Sequence, residues 1–131
     1  ELHLEDGVLS GRADVILTGE EGRPDSLAIV DYKSTTDPRR EEHFALQLAV
    51  YTAAGRGEGL TVEAAYLHDL HSGDRRSVDV GDGVTNAAVA KVGTLAAGIR
   101  RGDFPAKPEG ERCGGCDVRR VCRSAPAGCR E

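Results

Sequence analysis

The stretch that decides the fold is residues 27–34, Leu27-Ala28-Ile29-Val30-Asp31-Tyr32-Lys33-Ser34. Its aliphatic, β-branched run reads as a strand. Leu27, Ile29, Asp31 and Lys33 alternate with Ala28, Val30 and Tyr32, so apolar residues fall on both faces and the strand belongs in the middle of its sheet. Asp31 and Lys33 then share a face, about 7 Å apart along the strand. An unpartnered carboxylate or ammonium within such a strand costs several kcal/mol, so each charge needs a partner or a function.

Working outward, residues 8–17 (VLSGRADVIL) read as the neighbouring strand across the turn-rich stretch Gly19 to Ser26, and carry Asp14 between Ala13 and Val15. Downstream, Thr36-Asp37-Pro38 offers an N-cap followed by Pro at the first helical position. A helix is predicted from Glu41 to Ala54, with Phe44, Leu48 and Tyr51 at helical spacing and Gly55 as its end. Gly55, Gly57 and Gly59 follow no phosphate-loop pattern and read as a flexible connection. Residues 61–70 and 75–80 form short strands joined across His71-Ser72-Gly73-Asp74. A second helix spans 85–101, with Ala88, Val92, Leu95 and Ile99 on one face, Arg100 and Arg101 in its last turn, and Gly102 as its C-cap.

Beyond Phe104-Pro105 the periodicity stops, and no internal repeat is present. The expected fold is therefore α/β, a central mixed sheet flanked by helices over residues 1–104, followed by an irregular cysteine-rich tail over 105–131.

Composition agrees with one such core. The chain has 131 residues, 39% hydrophobic, 30% charged, with 17 Gly and only 3 Tyr and 2 Phe, so the core is aliphatic. No run of about 18 apolar residues exists and no signal peptide is read at the Glu1 end, so a membrane is not expected and a cytoplasmic location is. The chain contains no Met and reads as a piece of a longer protein. Its charge is uneven: residues 1–90 carry 8 Lys and Arg against 17 Asp and Glu, and residues 91–131 carry 9 against 5, so the net −5 divides into −9 and +4. The acid lies where a divalent cation could be held and the base lies with the cysteines.

Asp14 and Asp31 are two hard oxygen ligands which, with a strand carbonyl, suit Mg²⁺ or Mn²⁺ and leave room for water and phosphate oxygens. Lys33 beside them has a clear use, orienting or helping to deprotonate an attacking water, or stabilising charge at phosphorus. Gln47 and Tyr51, four residues apart, share a face of the first helix and reach the same place if that helix crosses the strands.

In their order, Gly11-Arg12-Ala13-Asp14, then Ile29-Val30-Asp31-Tyr32-Lys33-Ser34, then Gln47-Leu48-Ala49-Val50-Tyr51 resemble the PD-(D/E)xK nuclease superfamily, in particular its RecB-like branch. The resemblance implies a restriction-endonuclease-like core that hydrolyses DNA with Mg²⁺ or Mn²⁺. It assigns the metal to Asp14, Asp31 and the backbone carbonyl of Tyr32, catalysis to Lys33 together with the two carboxylates, and active-site support and DNA contact to Gln47 and Tyr51. A further ligand often comes from an upstream helix, which here would precede Glu1; His3 lies in what reads as a strand and is not given that role.

The four cysteines fall near the end, as Cys113, Cys116, Cys122 and Cys129. Thiolates so clustered chelate a soft metal, and spacing leaves zinc and iron–sulfur both open, with disulfides the alternative in an oxidising compartment. Phe104-Pro105-Ala106-Lys107-Pro108 leading into Cys113, Cys116 and Cys122 is similar to the end of iron–sulfur RecB-like nucleases. That resemblance implies a [4Fe–4S] cluster on three of these thiolates, with the fourth ligand upstream of Glu1 or replaced by Cys129. It also implies exonuclease action within a DNA repair or recombination helicase–nuclease. Arg112, Arg119, Arg120 and Arg123 would either solvate the tail or follow a DNA strand. His43, His68 and His71 read as surface or loop histidines. The rival reading is a non-catalytic DNA- or protein-binding module with a structural zinc site, to which a charged Asp-x-Lys on a central strand would contribute nothing.

Overall fold

The computed structural model describes residues 1–20, 23–34 and 41–129. The chain divides into two compact units, Glu1–Ala97 and Gly98–Glu131. The first holds a hairpin of β1 (Leu2–Leu4) and β2 (Gly7–Leu9), and a sheet of β3 (Val15–Glu20), β4 (Arg23–Lys33), β5 (Thr61–Asp69) and β6 (Arg75–Val78) in that order. Helices α1 (Glu41–Gly57) and α2 (Asp82–Arg100) complete the regular structure, α2 running across the division between the units.

The expected α/β class with a mixed sheet is what the chain adopts. β4 lies between β3, its antiparallel neighbour, and β5, which runs parallel to it after the α1 connection, while β5 and β6 are antiparallel. The central position read for residues 27–34 follows: Ala28, Ile29, Val30 and Asp31 are all buried. The face carrying Ile29 packs with Val62, Ala65 and Leu67 of β5 against Leu48 of α1, with Phe44 and Tyr51 at its margin. A second cluster joins Leu2 to Ala49 and Val50 of α1 and Ala88 of α2.

Several boundaries differ from the sequence expectation. The strand read over 8–17 is two strands, β2 and β3, with Ser10 to Asp14 irregular between them. The cause is a close approach at Gly11, where an added Cβ would stand 2.6 Å from Cε1 of Tyr51, so this backbone passes against the ring rather than pairing in the sheet. Most of the stretch Gly19 to Ser26 is strand rather than turn, because β3 continues to Glu20 and β4 starts at Arg23. The Thr36-Asp37-Pro38 cap lies outside the described residues.

Helix α1 does not stop at Gly55. Gly55 and Gly57 are helical, and Gly59, at φ +83°, makes the C-cap. There Leu60 N–H donates to Gly55 C=O at 3.0 Å and Gly59 N–H to Arg56 C=O at 3.0 Å, the paired bonds of a Schellman cap. Gly55 is needed for packing, since a Cβ there would meet Val62 Cγ2 at 2.8 Å. The expected flexible connection is thus a helix end in contact with β5.

Helix α2 starts at Asp82, three residues before the expected Thr85. Asp79 Oδ1 accepts the Gly81 N–H at 2.9 Å, and Asp82 places an acid in the first turn, where it complements the dipole. Gly102, at φ +67°, caps the other end as expected, with Asp103 N–H on Gly98 C=O at 2.9 Å. The apolar face is covered only over its first half: Ala88 is buried, whereas Leu95 and Ile99 are 53% and 63% exposed. Leu2, Ala49 and Val50 reach no further along the helix than the Val92 turn.

Arg56 ties these parts together. Its Nε and Nη2 donate to Val62 C=O at 3.0 and 2.8 Å, and its Nη1 donates to Val80 C=O at 3.0 Å and Asp82 Oδ1 at 3.1 Å. One guanidinium therefore joins the end of α1, the start of β5 and the start of α2. Arg56→Ala is expected to lower the unfolding free energy by about 2–3 kcal/mol in a urea titration, through two carbonyls that lose charged donors. Arg56→Lys should recover only part of this, because an ammonium cannot present the planar fork.

The β5–β6 loop offers a pH test. Asp69 Oδ1 accepts the N–H groups of His71 at 2.7 Å and Ser72 at 3.2 Å. The His71 bond first, and the Ser72 bond after it, hold the Asp69 carboxyl below the usual carboxylate range against a smaller opposing effect of desolvation. A carboxyl lowered in the native state adds stability above its unfolded pKa of about 3.9 and loses it as pH falls through the lower native value. Asp69→Asn should flatten the stability profile in that acid window and leave the profile near neutral pH parallel to wild type.

Candidate active site

The C-terminal end of β4 gathers the residues that the sequence singled out. Asp31 is 3% exposed, within an otherwise apolar core. Its Oδ2 lies 2.5 Å from Lys33 Nζ, the separation two residues along one strand face allows. That contact does not have hydrogen-bond geometry, and the same buried oxygen has no hydrogen-bond partner among the described residues. The ion pair gives this oxygen a charge partner at close range, and no hydrogen bond completes its shell among the described residues.

Lys33 continues the chain of contacts. Its Nζ donates to Gln47 Oε1 at 3.1 Å, and Gln47 Nε2 donates to Tyr51 Oη at 3.0 Å. The four-residue spacing of Gln47 and Tyr51 on α1 makes the second bond, and the packing of α1 over the Ile29 face of β4 makes the first. The far end is fixed sterically, the Tyr51 ring lying against the backbone of Gly11. The near end is fixed by backbone: Leu70 N–H donates to Lys33 C=O at 2.9 Å, so the Asp69 loop also pins the end of β4.

Asp14 stands just before β3 rather than within it, and is exposed. Its Oδ2 accepts the Tyr32 N–H at 2.8 Å, beyond the last β3–β4 pair, Val15 with Val30. The side chain thus takes the donor of the residue between Asp31 and Lys33 and is held at their strand. The Tyr32 ring meets His68 edge-on at 5.3 Å, on the face of the sheet opposite Asp31 and Lys33. His68 is accordingly neither a loop nor a surface residue. It sits half-buried in β5, with Nδ1 buried and unpartnered among the described residues, while His71 is in the exposed loop as expected.

Phe44 had been read only as a packing residue. Its ring lies over the Lys33 ammonium, with Nζ 4.4 Å from the centroid. The signal was present in the sequence as a three-residue spacing from Gln47, but aromatic packing and cation contact look identical in a helical pattern.

The cysteines are not brought together in the same way. All four are free, half-buried thiols, and among the described residues no three His, Cys, Asp or Glu side chains form a group able to hold a metal ion. Cys113 lies in the five-residue α3 (Gly110–Gly114), and Cys129 Sγ donates to Gly110 C=O at 3.5 Å. The expected disulfide alternative, zinc site and iron–sulfur site are therefore all unsupported by these positions. Of the tail arginines, Arg112 pairs with Glu109 at 3.4 Å and Arg119 donates to Cys116 C=O at 3.3 Å.

The steric end of the contact chain gives a direct test. Gly11→Ala is expected to push the Tyr51 ring, loosen Gln47 and so disturb Lys33, in a protein whose core is intact. Chemical shifts of the Gln47 side-chain amide should move in Gly11→Ala, because the displaced ring carries the Tyr51 hydroxyl that accepts from Gln47. Unchanged shifts in Gly11→Ala would show that the ring does not transmit the strain.

Comparison with known proteins agrees with this arrangement. No curated protein matches the chain. The PD-(D/E)XK nuclease superfamily model matches residues 1–123. With that match spanning nearly the whole sequence, and with the chain folded as an α/β domain around a four-stranded mixed sheet, the chain belongs to the PD-(D/E)XK nuclease superfamily.

Proposed function

We propose that this chain is a metal-dependent nuclease domain of the RecB-like branch, acting on DNA, with residues 1–104 as the catalytic core and 105–131 as a separate tail. The observation that carries this reading is the continuous contact from buried Asp31 through Lys33 and Gln47 to Tyr51, with Asp14 held at the intervening Tyr32.

A hard divalent cation fits the residues present. Asp31 offers a buried oxygen without a hydrogen-bond partner among the described residues, and Asp14 an exposed carboxylate tied to the same strand. Two carboxylates, the Tyr32 carbonyl and water make a site of the open kind that Mg²⁺ or Mn²⁺ accepts. When bound, such an ion supplies Lewis-acid polarisation at the scissile phosphate. The chain's own residues do the rest. Lys33 presents its ammonium to the phosphate and the attacking water, and balances charge that grows on the phosphate oxygens. Gln47 fixes the direction of that ammonium, and Tyr51 fixes Gln47. The neutral amide and phenol do this without adding charge that would compete with the substrate.

The net charge of −5 does not oppose a DNA substrate, because the excess base lies in residues 91–131 and the acid lies with the site. The same reading makes the activity exonucleolytic and places the chain in a cytoplasmic helicase–nuclease of DNA repair or recombination, with the helicase as its partner; no helix among the described residues is long and apolar enough to cross a membrane. Iron–sulfur or zinc ligation by Cys113, Cys116, Cys122 and Cys129 is a separate proposal on which the nuclease reading does not depend. A non-catalytic module built on zinc gains nothing from the present placement of the thiols.

The test is cleavage of labelled single- and double-stranded DNA by the full chain, with and without Mg²⁺ or Mn²⁺. Asp31→Asn and Lys33→Ala should each lower the rate by at least about a hundredfold, as expected for groups that stabilise transition-state charge. DNA retention should be largely kept. Metal-dependent cleavage that survives both substitutions overturns the reading.

A further inference from the structure

Among the described residues the Lys33 ammonium meets two members of the polar chain of contacts and one aromatic ring. Asp31 Oδ2 is 2.5 Å away and Gln47 Oε1 is 3.1 Å away. The ring is that of Phe44, with Nζ 4.4 Å from its centroid. Phe44 and Gln47 are three residues apart on α1, so one side of that helix presents both to the same ammonium.

An aromatic face attracts a cation through its quadrupole, and the attraction grows when the pair is shielded from water. The Lys33 side chain is 19% exposed, so shielding is substantial. The ring differs from the other neighbours in accepting no conventional hydrogen bond. Of the ammonium's N–H donors one goes to Gln47; the Asp31 carboxylate lies beside the charge without hydrogen-bond geometry, and the ring attracts it without taking a conventional hydrogen bond. Lysine's four-carbon stem would otherwise sample many rotamers, and water on the Phe44 side would weaken the pull of Asp31.

We infer that Phe44 is a positioning residue for Lys33: its ring face holds the ammonium between Asp31 and Gln47 so that a remaining N–H is directed at the substrate phosphate. The catalytic part of this inference rests on the nuclease reading, whereas the positioning part does not. Simple packing against the Leu48 and Ile29 core would be served by any apolar side chain of similar size. Positioning requires an electron-rich ring.

The experiment uses the full chain as wild type, Phe44→Tyr, Phe44→Leu, and with pentafluorophenylalanine at position 44, which keeps the ring's shape and removes its negative face. Each is exposed to an amine-reactive ester, and labelling of Lys33 is followed peptide by peptide. Lys91, 55% exposed against 19% for Lys33, is the internal reference. Lys33 should label more slowly than Lys91 in wild type and Phe44→Tyr. In the Leu and fluorinated forms its labelling relative to Lys91 should rise about threefold or more, and kcat on DNA should fall about tenfold with little change in KM, in keeping with a shielded cation–π contact.

The fluorinated form preserves packing, so the test stands even where Phe44→Leu folds poorly. Unchanged Lys33 labelling in the fluorinated form overturns the inference, even if Lys33→Ala abolishes cleavage and the nuclease reading survives. Altered labelling in a protein that cleaves nothing supports the positioning role and removes the nuclease reading instead.

Discussion

An ionised carboxylate and an ammonium share one face of a buried strand, and the rest of the domain is arranged around that constraint. Removing both charges from water costs several kcal/mol each, and an ion pair in such a place often stabilises no better than two apolar side chains would. Asp31 and Lys33 are therefore poor stabilisers in a good structural position. Their neighbours in β4, Ala28, Ile29 and Val30, supply the burial that offsets them. β5 and α1 close over the same face, and the Asp69 loop holds the carbonyl of Lys33. The energetics of folding and the geometry of the site meet in this one strand.

The parts of the fold that were readable from the sequence are those set by local period. Alternation along 27–33 located the central strand and put Asp31 and Lys33 together, and a four-residue step put Gln47 beside Tyr51. Glycine was harder, because its sequence signal does not distinguish a bend from a close contact. Gly55 looked like a helix stop and is instead the point where α1 touches Val62, while the actual stop, Gly59, looked like part of a flexible run. Gly11 looked like a strand residue and is a gap for the Tyr51 ring. In both cases the deciding atom lies on a different element, Val62 of β5 or Tyr51 of α1, and packing between elements is not contained in the pattern of either one.

Histidine was not legible for a related reason. His68 occupies an alternating position in β5 that faces Tyr32, but pairing between strands fixes that contact, and spacing along one strand does not contain it. The thiols of the tail are close in sequence, and among the described residues they form no group able to hold a metal ion. Short irregular elements such as α3 can point successive cysteines apart, and here they do not gather.

The two carboxylates at the site are unequal, and the inequality follows from where each sits. Asp14 is exposed and already accepts a backbone N–H, so water and one hydrogen bond satisfy it in every state. Asp31 is buried, touches Lys33 without hydrogen-bond geometry, and keeps an unsatisfied oxygen. A cation arriving at the pair gains little by displacing the solvent around Asp14 and much by satisfying Asp31. Asp31 would then be the residue whose desolvation favours an ion, and Asp14 an exposed second carboxylate tied to the same strand. Lys33 is the ion-pair partner of Asp31, and its contacts with Gln47 and Phe44 would keep it in place if that carboxylate were to hold a metal. Without those tethers the ammonium would follow the loss of its counter-ion into solvent; with them it stays where a phosphate would replace Asp31 as its partner.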